Sequence, residues 1–147
     1  KTELDHWVSD TDNLIIHVYY WHKEDGNKKI LLRVLFADET KGYGFTPPVH
    51  PTNMKFKSDK AEMAFSVNFM NTKFEPLTIG SGWKEDVYVE LSLEEAISFA
   101  NLFKNSDKVR IRVKGSQRHI DFTMSSSDAK GIIDIVDYIN VVSEFGV

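Results

Sequence analysis

The sequence predicts an α+β domain: an antiparallel β-sheet or sandwich-like core with two amphipathic helices in the C-terminal half. Short segments with an apolar residue at every second position dominate the chain as far as Leu91. Two segments with helical periodicity follow late, each after strand-like segments. Runs of strands with helices grouped late are typical of α+β folds and not of doubly wound folds.

The first predicted element is a β-hairpin. Both faces of Leu14–His22 are apolar or aromatic, which indicates a strand in the middle of a sheet. Asp25 and Gly26 form a typical turn pair, and residues 29–38 alternate as the return strand.

The middle of the chain predicts two loops and two strands. Residues 40–60 contain three prolines, which cannot donate to a strand ladder, so this segment is predicted as a long loop or an edge segment. Residues 62–70 alternate as a strand, a loop is predicted over 75–84, and a short strand over 86–91. The predicted inward positions of the strand over residues 62–70 are Met63, Phe65, Val67 and Phe69.

The C-terminal half predicts a helix, a second hairpin and a closing helix. Ser92 and Glu95 have the spacing of a capping box at the start of the first helix. Lys108–Lys114 and residues 118–124 alternate as paired strands, each with one apolar and one polar face. The predicted order is therefore β-β-loop-β-β-α-β-β-α in a single domain over residues 1–147.

Composition excludes several classes of function. The chain has 147 residues, 41% of them hydrophobic, and no cysteine, so thiol nucleophiles, disulfides and cysteine–zinc sites are excluded. With 18 basic and 22 acidic residues the net charge is −4, which argues against broad nucleic-acid binding. No apolar run is long enough for a transmembrane helix, and we expect no cofactor and no metal. The chain starts at Lys1 and not at Met, from which we expect an exported protein, with a cytoplasmic one as the alternative.

The order of elements over residues 86–139 resembles a known group of bacterial domains. A strand leads into residues 91–96 at the start of a helix, and the strands 109–113 and 120–124 precede a closing helix. This order resembles the small exported bacterial domains of the invasion-associated locus B type and the related accessory proteins of type VI secretion; Trp7 and the first hairpin fit it too. Those families often contain cysteines, and this chain has none. The resemblance implies an exported, non-catalytic, β-sandwich-like domain with no catalytic residues to transfer.

His119 and Asp121 are the candidate residues for catalysis. They lie two positions apart on a predicted strand, so both side chains leave the same face, as in a base–orienter pair or part of a metal site. No third partner is visible nearby in the sequence. Pairing of Asp121 with Arg110 or Arg112 on the neighbouring strand explains the same residues, and we favour that interpretation.

Basic residues also alternate along this hairpin. Arg110, Arg112, Lys114 and Arg118 form a ladder that would suit an anion, a lipid headgroup or nucleic acid. No aromatic residue alternates with them, so the signature of single-strand stacking is missing. A solvated strand face is the interpretation we favour, given the acidic net charge.

Five aromatic residues form the candidate binding set. Tyr43 and Phe45 lie in a loop rich in glycine and proline, Trp83 follows Gly82 in another loop, and Tyr19 and Trp21 occupy the second face of a strand. Tyrosine and tryptophan combine contact area with a hydrogen-bonding tip, which suits partner surfaces and sugar faces. We therefore expect a non-catalytic binding or structural module for a protein or glycan partner. The alternative is a small hydrolase or metal-dependent enzyme that uses His119 and Asp121.

Overall fold

A computed structural model describes residues 2–11, 13–22, 24–39, 47–77 and 82–144 of the chain. These residues form nine β-strands, one 3-10 turn (Phe69–Asn71) and two α-helices. The strands are β1 (Thr2–Thr11), β2 (Leu14–His22), β3 (Lys28–Glu39), β4 (Asn53–Lys57), β5 (Glu62–Ser66), β6 (Thr72–Pro76), β7 (Gly82–Leu91), β8 (Lys108–Lys114) and β9 (His119–Ser125). The helices are α1 (Leu93–Lys104) and α2 (Lys130–Glu144).

The strands form two antiparallel sheets, which confirms the predicted α+β class. The five-stranded sheet has the order β1-β2-β3-β7-β6, and the four-stranded sheet has the order β5-β4-β8-β9. Both predicted hairpins are present: Ile16 lies opposite Val34 in the first, and Ile111 lies opposite Phe122 in the second.

The core lies between the inner faces of the sheets and the apolar sides of the helices. Alternate residues of the strands are buried there, because successive side chains of a strand point to opposite faces. Val34 and Ile111 are examples from the two sheets. The rings of Phe56 on β4 and Phe99 on α1 meet edge to face with centroids 4.8 Å apart. Helix α2 packs against β1, β2 and α1.

The capping box predicted at α1 is present. Ser92 Oγ accepts a hydrogen bond from the backbone N–H of Glu95, and Glu95 Oε1 accepts one from the backbone N–H of Ser92, both at 3.0 Å. These bonds satisfy two donors that a helix start otherwise leaves unpaired. Within the described part of the chain, neither helix is long and apolar enough to cross a bilayer.

Three strands of the structure, β1, β4 and β6, were not predicted. β1 lies at the edge of the five-stranded sheet, and a register shift between Asp5 and Trp7 breaks the period of two by which strands are recognised. β4 lies within the segment 40–60 that was predicted as a loop or an edge, but it pairs on both sides, with β5 and with β8. β6 forms the other edge of the five-stranded sheet, and its last two residues fall in the predicted loop 75–84. The far end of that loop is also wrong, because β7 begins at Gly82 and places Trp83 on a strand.

The predicted inward position of Phe69 is wrong. β5 ends at Ser66, and the side chain of Asn68 accepts a hydrogen bond from the backbone N–H of Met70, which turns the chain. Phe69 therefore leaves the strand and is 69% exposed. Phe65, the inward residue before the turn, is buried as predicted.

Candidate binding surfaces

A buried carboxylate fixes the segment that leads into β4. Glu85 on β7 is fully buried, and its two oxygens accept hydrogen bonds from the backbone N–H groups of Val49 (2.8 Å) and His50 (2.7 Å). His50 has a φ of 50°, a left-handed conformation that is uncommon outside glycine. Glu85 therefore holds the backbone in an unusual turn, which sets the direction of the His50 side chain.

Arg118 also fixes the segment that leads into β4, through an ion pair with β3 and a hydrogen bond to the segment itself. Arg118 bonds to the carboxylate of Asp38, and its Nε donates to the carbonyl oxygen of Pro47 at 2.8 Å. Burial raises the pKa of Glu85, and the two backbone N–H groups oppose that rise. Both carboxylates accept protein hydrogen bonds, so this network anchors residues 47–50.

Three rings lie next to this anchor and form what we call the aromatic edge: His50, Phe74 and Trp83. Phe74 on the edge strand β6 contacts Trp83 edge to face, with centroids 5.6 Å apart, and its ring lies 5.5 Å from that of His50. Phe74 is nevertheless 47% exposed. Phe74 thus exposes about half of its side chain to solvent, although the rings of His50 and Trp83 lie beside it.

The structure separates the three described members of the predicted aromatic set, Tyr19, Trp21 and Trp83. Tyr43 and Phe45 lie outside the described residues. Trp83 lies opposite the buried Asp38, on the inner side of the five-stranded sheet at its margin. Tyr19 and Trp21 alternate with buried residues of β2 and lie on the outer side of that sheet. Of the three members that the structure describes, only Trp83 belongs to the aromatic edge.

On the outer side of the five-stranded sheet, Tyr19 belongs to a polar cluster around Arg33. The guanidinium of Arg33 pairs with Asp86 through two hydrogen bonds of 2.9 and 2.7 Å, and it lies 3.4 Å from the hydroxyl of Tyr19. The guanidinium carbon lies 5.5 Å from the ring centre of Tyr88, and Tyr19 also bonds to His17 Nδ1 at 2.7 Å. The pairing with Asp86 raises the pKa of Arg33. The hydroxyl of Tyr19 is therefore occupied by neighbouring side chains.

His119 and Asp121 share the outer face of the four-stranded sheet. Asp121 lies opposite Arg112, whose Nε and terminal nitrogen donate to its two oxygens at 2.8 and 2.9 Å. This pairing lowers the pKa of Asp121. The imidazole Nε2 of His119 lies farther away, 3.8 Å from Asp121 Oδ2. The favoured cross-strand pair is thus present, and no group of three metal-ligating side chains occurs among the described residues.

The structure extends the predicted basic ladder across a second strand. Lys55 and Lys57 of β4 lie opposite Arg112 and Arg110 of β8, so two central strands carry basic residues side by side. We call this outer side of the four-stranded sheet the basic face. Arg118, the last member of the predicted ladder, turns away from it to Asp38 and Pro47.

Sequence reasoning missed Phe74 and Glu85; His50 lies within the segment 41–53 that, with Trp83, was the predicted binding surface, but its ring was not singled out. Phe74 stands between Lys73 and Glu75, and a lone apolar residue among charges is a weak signal of an exposed edge strand. Glu85 has the same phase as Val87 and Leu91, so a charge in the inward register of a strand was the available signal.

No family model, curated protein or solved structure matches this chain. The resemblance to exported bacterial domains therefore stays a prediction.

Proposed function

We propose that this chain is a non-catalytic binding module whose partner contacts the aromatic edge. The observation that carries the proposal is the 47% exposure of Phe74, although its ring touches Trp83 and faces His50. Aromatic side chains that present a rigid apolar face to solvent are enriched among the residues that dominate binding energy.

The surroundings of the aromatic edge favour a protein partner over a glycan. Two further large apolar side chains, Phe69 (69% exposed) and Met70 (77% exposed), precede β6 in the chain. Methionine is flexible and adapts to apolar protein surfaces. A contiguous exposed apolar patch marks an interaction site more often than apolar residues scattered singly over the surface do.

Anchoring of the adjacent segment supports the same proposal. Because Glu85 and Arg118 fix residues 47–50 to the sheet, His50 is held in place before a partner arrives. A surface that is already ordered loses less conformational entropy on binding. Tyr43 and Phe45 lie in the chain segment just before this anchor and remain proposed contributors.

The alternative enzyme gains no support from a specific observation. Both oxygens of Asp121 are engaged by Arg112, and His119 and Asp121 are each about half exposed. A catalytic pair needs a supporting third group and a site that excludes water.

Export of the protein stays part of the proposal. Finding the native protein only in the cytosolic fraction would contradict export.

The test compares Phe74→Ala with Tyr138→Ala, because both side chains are 47% exposed and Tyr138 lies on α2. Proteins captured from native lysate by the wild-type chain are identified, purified and titrated against each variant, and the chain is also probed on a glycan array. We expect Phe74→Ala to weaken binding by at least about tenfold, the effect of losing a binding hot spot, and Tyr138→Ala to leave it unchanged. Thermal unfolding should give similar midpoints for both variants.

Two results would remove the proposal. Equal affinities for wild type and Phe74→Ala would show that the aromatic edge is not the contact surface. A large loss of stability in Phe74→Ala, with affinity retained at low temperature, would show that the ring serves packing.

A further inference from the structure

The basic face concentrates positive charge on an acidic protein. It carries six basic side chains and two acidic ones, although the chain as a whole has a net charge of −4. The basic residues are Lys55, Lys57, Lys108, Arg110, Arg112 and Lys114, and the acidic ones are Glu62 and Asp121. The charges are therefore segregated on this sheet.

Like charges lie directly opposite each other on the two central strands. Lys57 pairs in register with Arg110, and the next outward pair along the strands is Lys55 with Arg112. Directly opposed like charges destabilise an antiparallel sheet. Lys55 and Arg112 each have a carboxylate partner, so the uncompensated repulsion lies between Lys57 and Arg110, and a bound anion would relieve it.

The two acidic residues lie on the marginal strands of the sheet and compensate only Lys55 and Arg112 of the basic face. Glu62 on β5 lies 3.5 Å from Lys55, and Asp121 on β9 holds Arg112. Among the described residues, no carboxylate lies within 4.0 Å of Lys57, Arg110 or Lys114. These three exposed cations are free to meet a ligand.

The shape of the basic face suits an extended ligand. Four basic residues occupy alternate positions of β8 from Lys108 to Lys114, which spans about 20 Å at the usual rise of a strand. A shallow depression of about 800 Å³ lies over Lys55, Lys57, Arg110 and Lys114. Thr52, Asn53 and Thr123 also line it and supply neutral hydrogen-bonding groups.

We propose that the basic face binds an anionic polysaccharide, a chain of sulfated or carboxylated sugars laid along β8. Clusters of lysine and arginine are the usual contact for such glycans, and the hydroxyl and amide groups suit sugar hydroxyls. Among the described residues, the outward positions of this face carry no phenylalanine, tyrosine or tryptophan for base stacking; Phe122 borders the depression, but it belongs to the inner side of β9, where its ring meets that of Phe36. Protein interfaces have few lysines at their centre, and membrane-bound faces present apolar residues, so both fit this face less well.

The experiment titrates the full chain with a fluorescently labelled heparin fragment at several NaCl concentrations. The test variant is the double substitution Lys57→Gln with Arg110→Gln. The control is Lys28→Gln with Lys104→Gln, which removes the same charge from exposed positions on β3 and α1. We expect steeply salt-dependent binding, an affinity about tenfold lower in the test variant, a shallower salt dependence for that variant, and little change in the control. Circular dichroism and thermal unfolding should show that both variants are folded.

Duplex DNA and poly-glutamate serve as competing probes in the same titration. Tighter binding of either than of heparin would overturn the assignment to a polysaccharide. Equal losses in the two double variants would show a response to net charge and not to a site, and no heparin binding at about 50 mM NaCl would remove the proposal. The basic face and the aromatic edge share no residue, so Phe74→Ala should leave heparin binding unchanged; either proposal can fail without the other.

Discussion

Glu85 Oε2 lies 2.8 Å from the backbone nitrogen of Val49, although 36 residues separate the two in the sequence. Glu85 is fully buried, and burying a carboxylate is costly because it loses its hydrogen bonds to water. Two backbone N–H groups replace those bonds and offset the cost. This contact ties the segment before β4 to the five-stranded sheet. The aromatic edge depends on it, since His50 follows Val49 directly.

We predict that Glu85→Gln destabilises the fold by about 1–3 kcal/mol, the cost of leaving a buried donor unsatisfied. Glutamine has one acceptor oxygen, so one of the N–H groups of Val49 and His50 loses its partner. Urea unfolding of wild type and variant between about pH 4 and about pH 7 measures the difference.

The same comparison has a predicted dependence on pH. Burial raises the pKa of Glu85 above its ordinary value of 4.5, so the folded state holds this proton more tightly than the unfolded state. The stability that this proton contributes is complete below 4.5 and is lost as the pH rises through the folded-state pKa. Glutamine does not titrate, so the advantage of the wild type over Glu85→Gln should shrink as the pH rises. An advantage that grew with pH would contradict the raised pKa.

Gly115→Ala is predicted to destabilise the fold by about 1–3 kcal/mol, because the added methyl group would overpack against the segment that leads into β4. A Cβ at this position would lie 1.8 Å from the carbonyl oxygen of Val49, and because that atom is backbone it cannot move aside cheaply. Ser116→Ala is the matched control, since Ser116 is exposed in the same turn and its loss should change stability by less than about 0.5 kcal/mol. Thermal unfolding ranks the two variants. Equal unfolding midpoints would contradict the prediction and show that the backbone around Gly115 shifts at little cost.

The regular parts of this fold follow from local sequence. Alternation of period two located β3, β8 and β9, because one face of each strand is buried, and a run that is apolar or aromatic on both faces located β2. The capping box located the start of α1, since Ser92 and Glu95 satisfy backbone donors close by in sequence. β4 shows where this method fails. Met54 and Phe56 alternate with lysines, but the prolines on the N-terminal side outweighed that short pattern.

The candidate surfaces depend on pairing that no local pattern contains. Lys57 meets Arg110 only because β4 joins β8 across more than fifty residues of sequence. Phe74 meets His50 and Trp83 only because β6 closes the sheet edge beside the anchored segment. Sequence composition identified Trp83 as notable, but register decides which side chains share a surface with it.

Core substitutions test the strand phases directly. Phe65→Ala and Ile111→Ala should each destabilise by about 2–5 kcal/mol, because both side chains are buried and their loss leaves a cavity. The ring of Phe65 also meets Phe56 edge to face, with centroids 5.8 Å apart. Arg110→Ala should cost less than about 1 kcal/mol, since the side chain is exposed. A urea series that ranked Arg110→Ala as the most damaging would contradict the burial pattern of β8.

Arg33→Lys is predicted to destabilise the fold by about 1–3 kcal/mol despite conserving the charge. Lysine cannot make the two parallel hydrogen bonds to Asp86, and it lacks the planar group that lies over the ring of Tyr88. The pair is a sensitive target because both side chains are mostly shielded from solvent, with 26% and 15% exposed. Lys28→Arg is the control, since Lys28 is exposed on the same strand and should tolerate the exchange within about 0.5 kcal/mol. Chemical unfolding of the two variants measures the difference. A cost for Arg33→Lys no larger than for Lys28→Arg would mean that charge alone, and not the geometry of the guanidinium, holds Asp86.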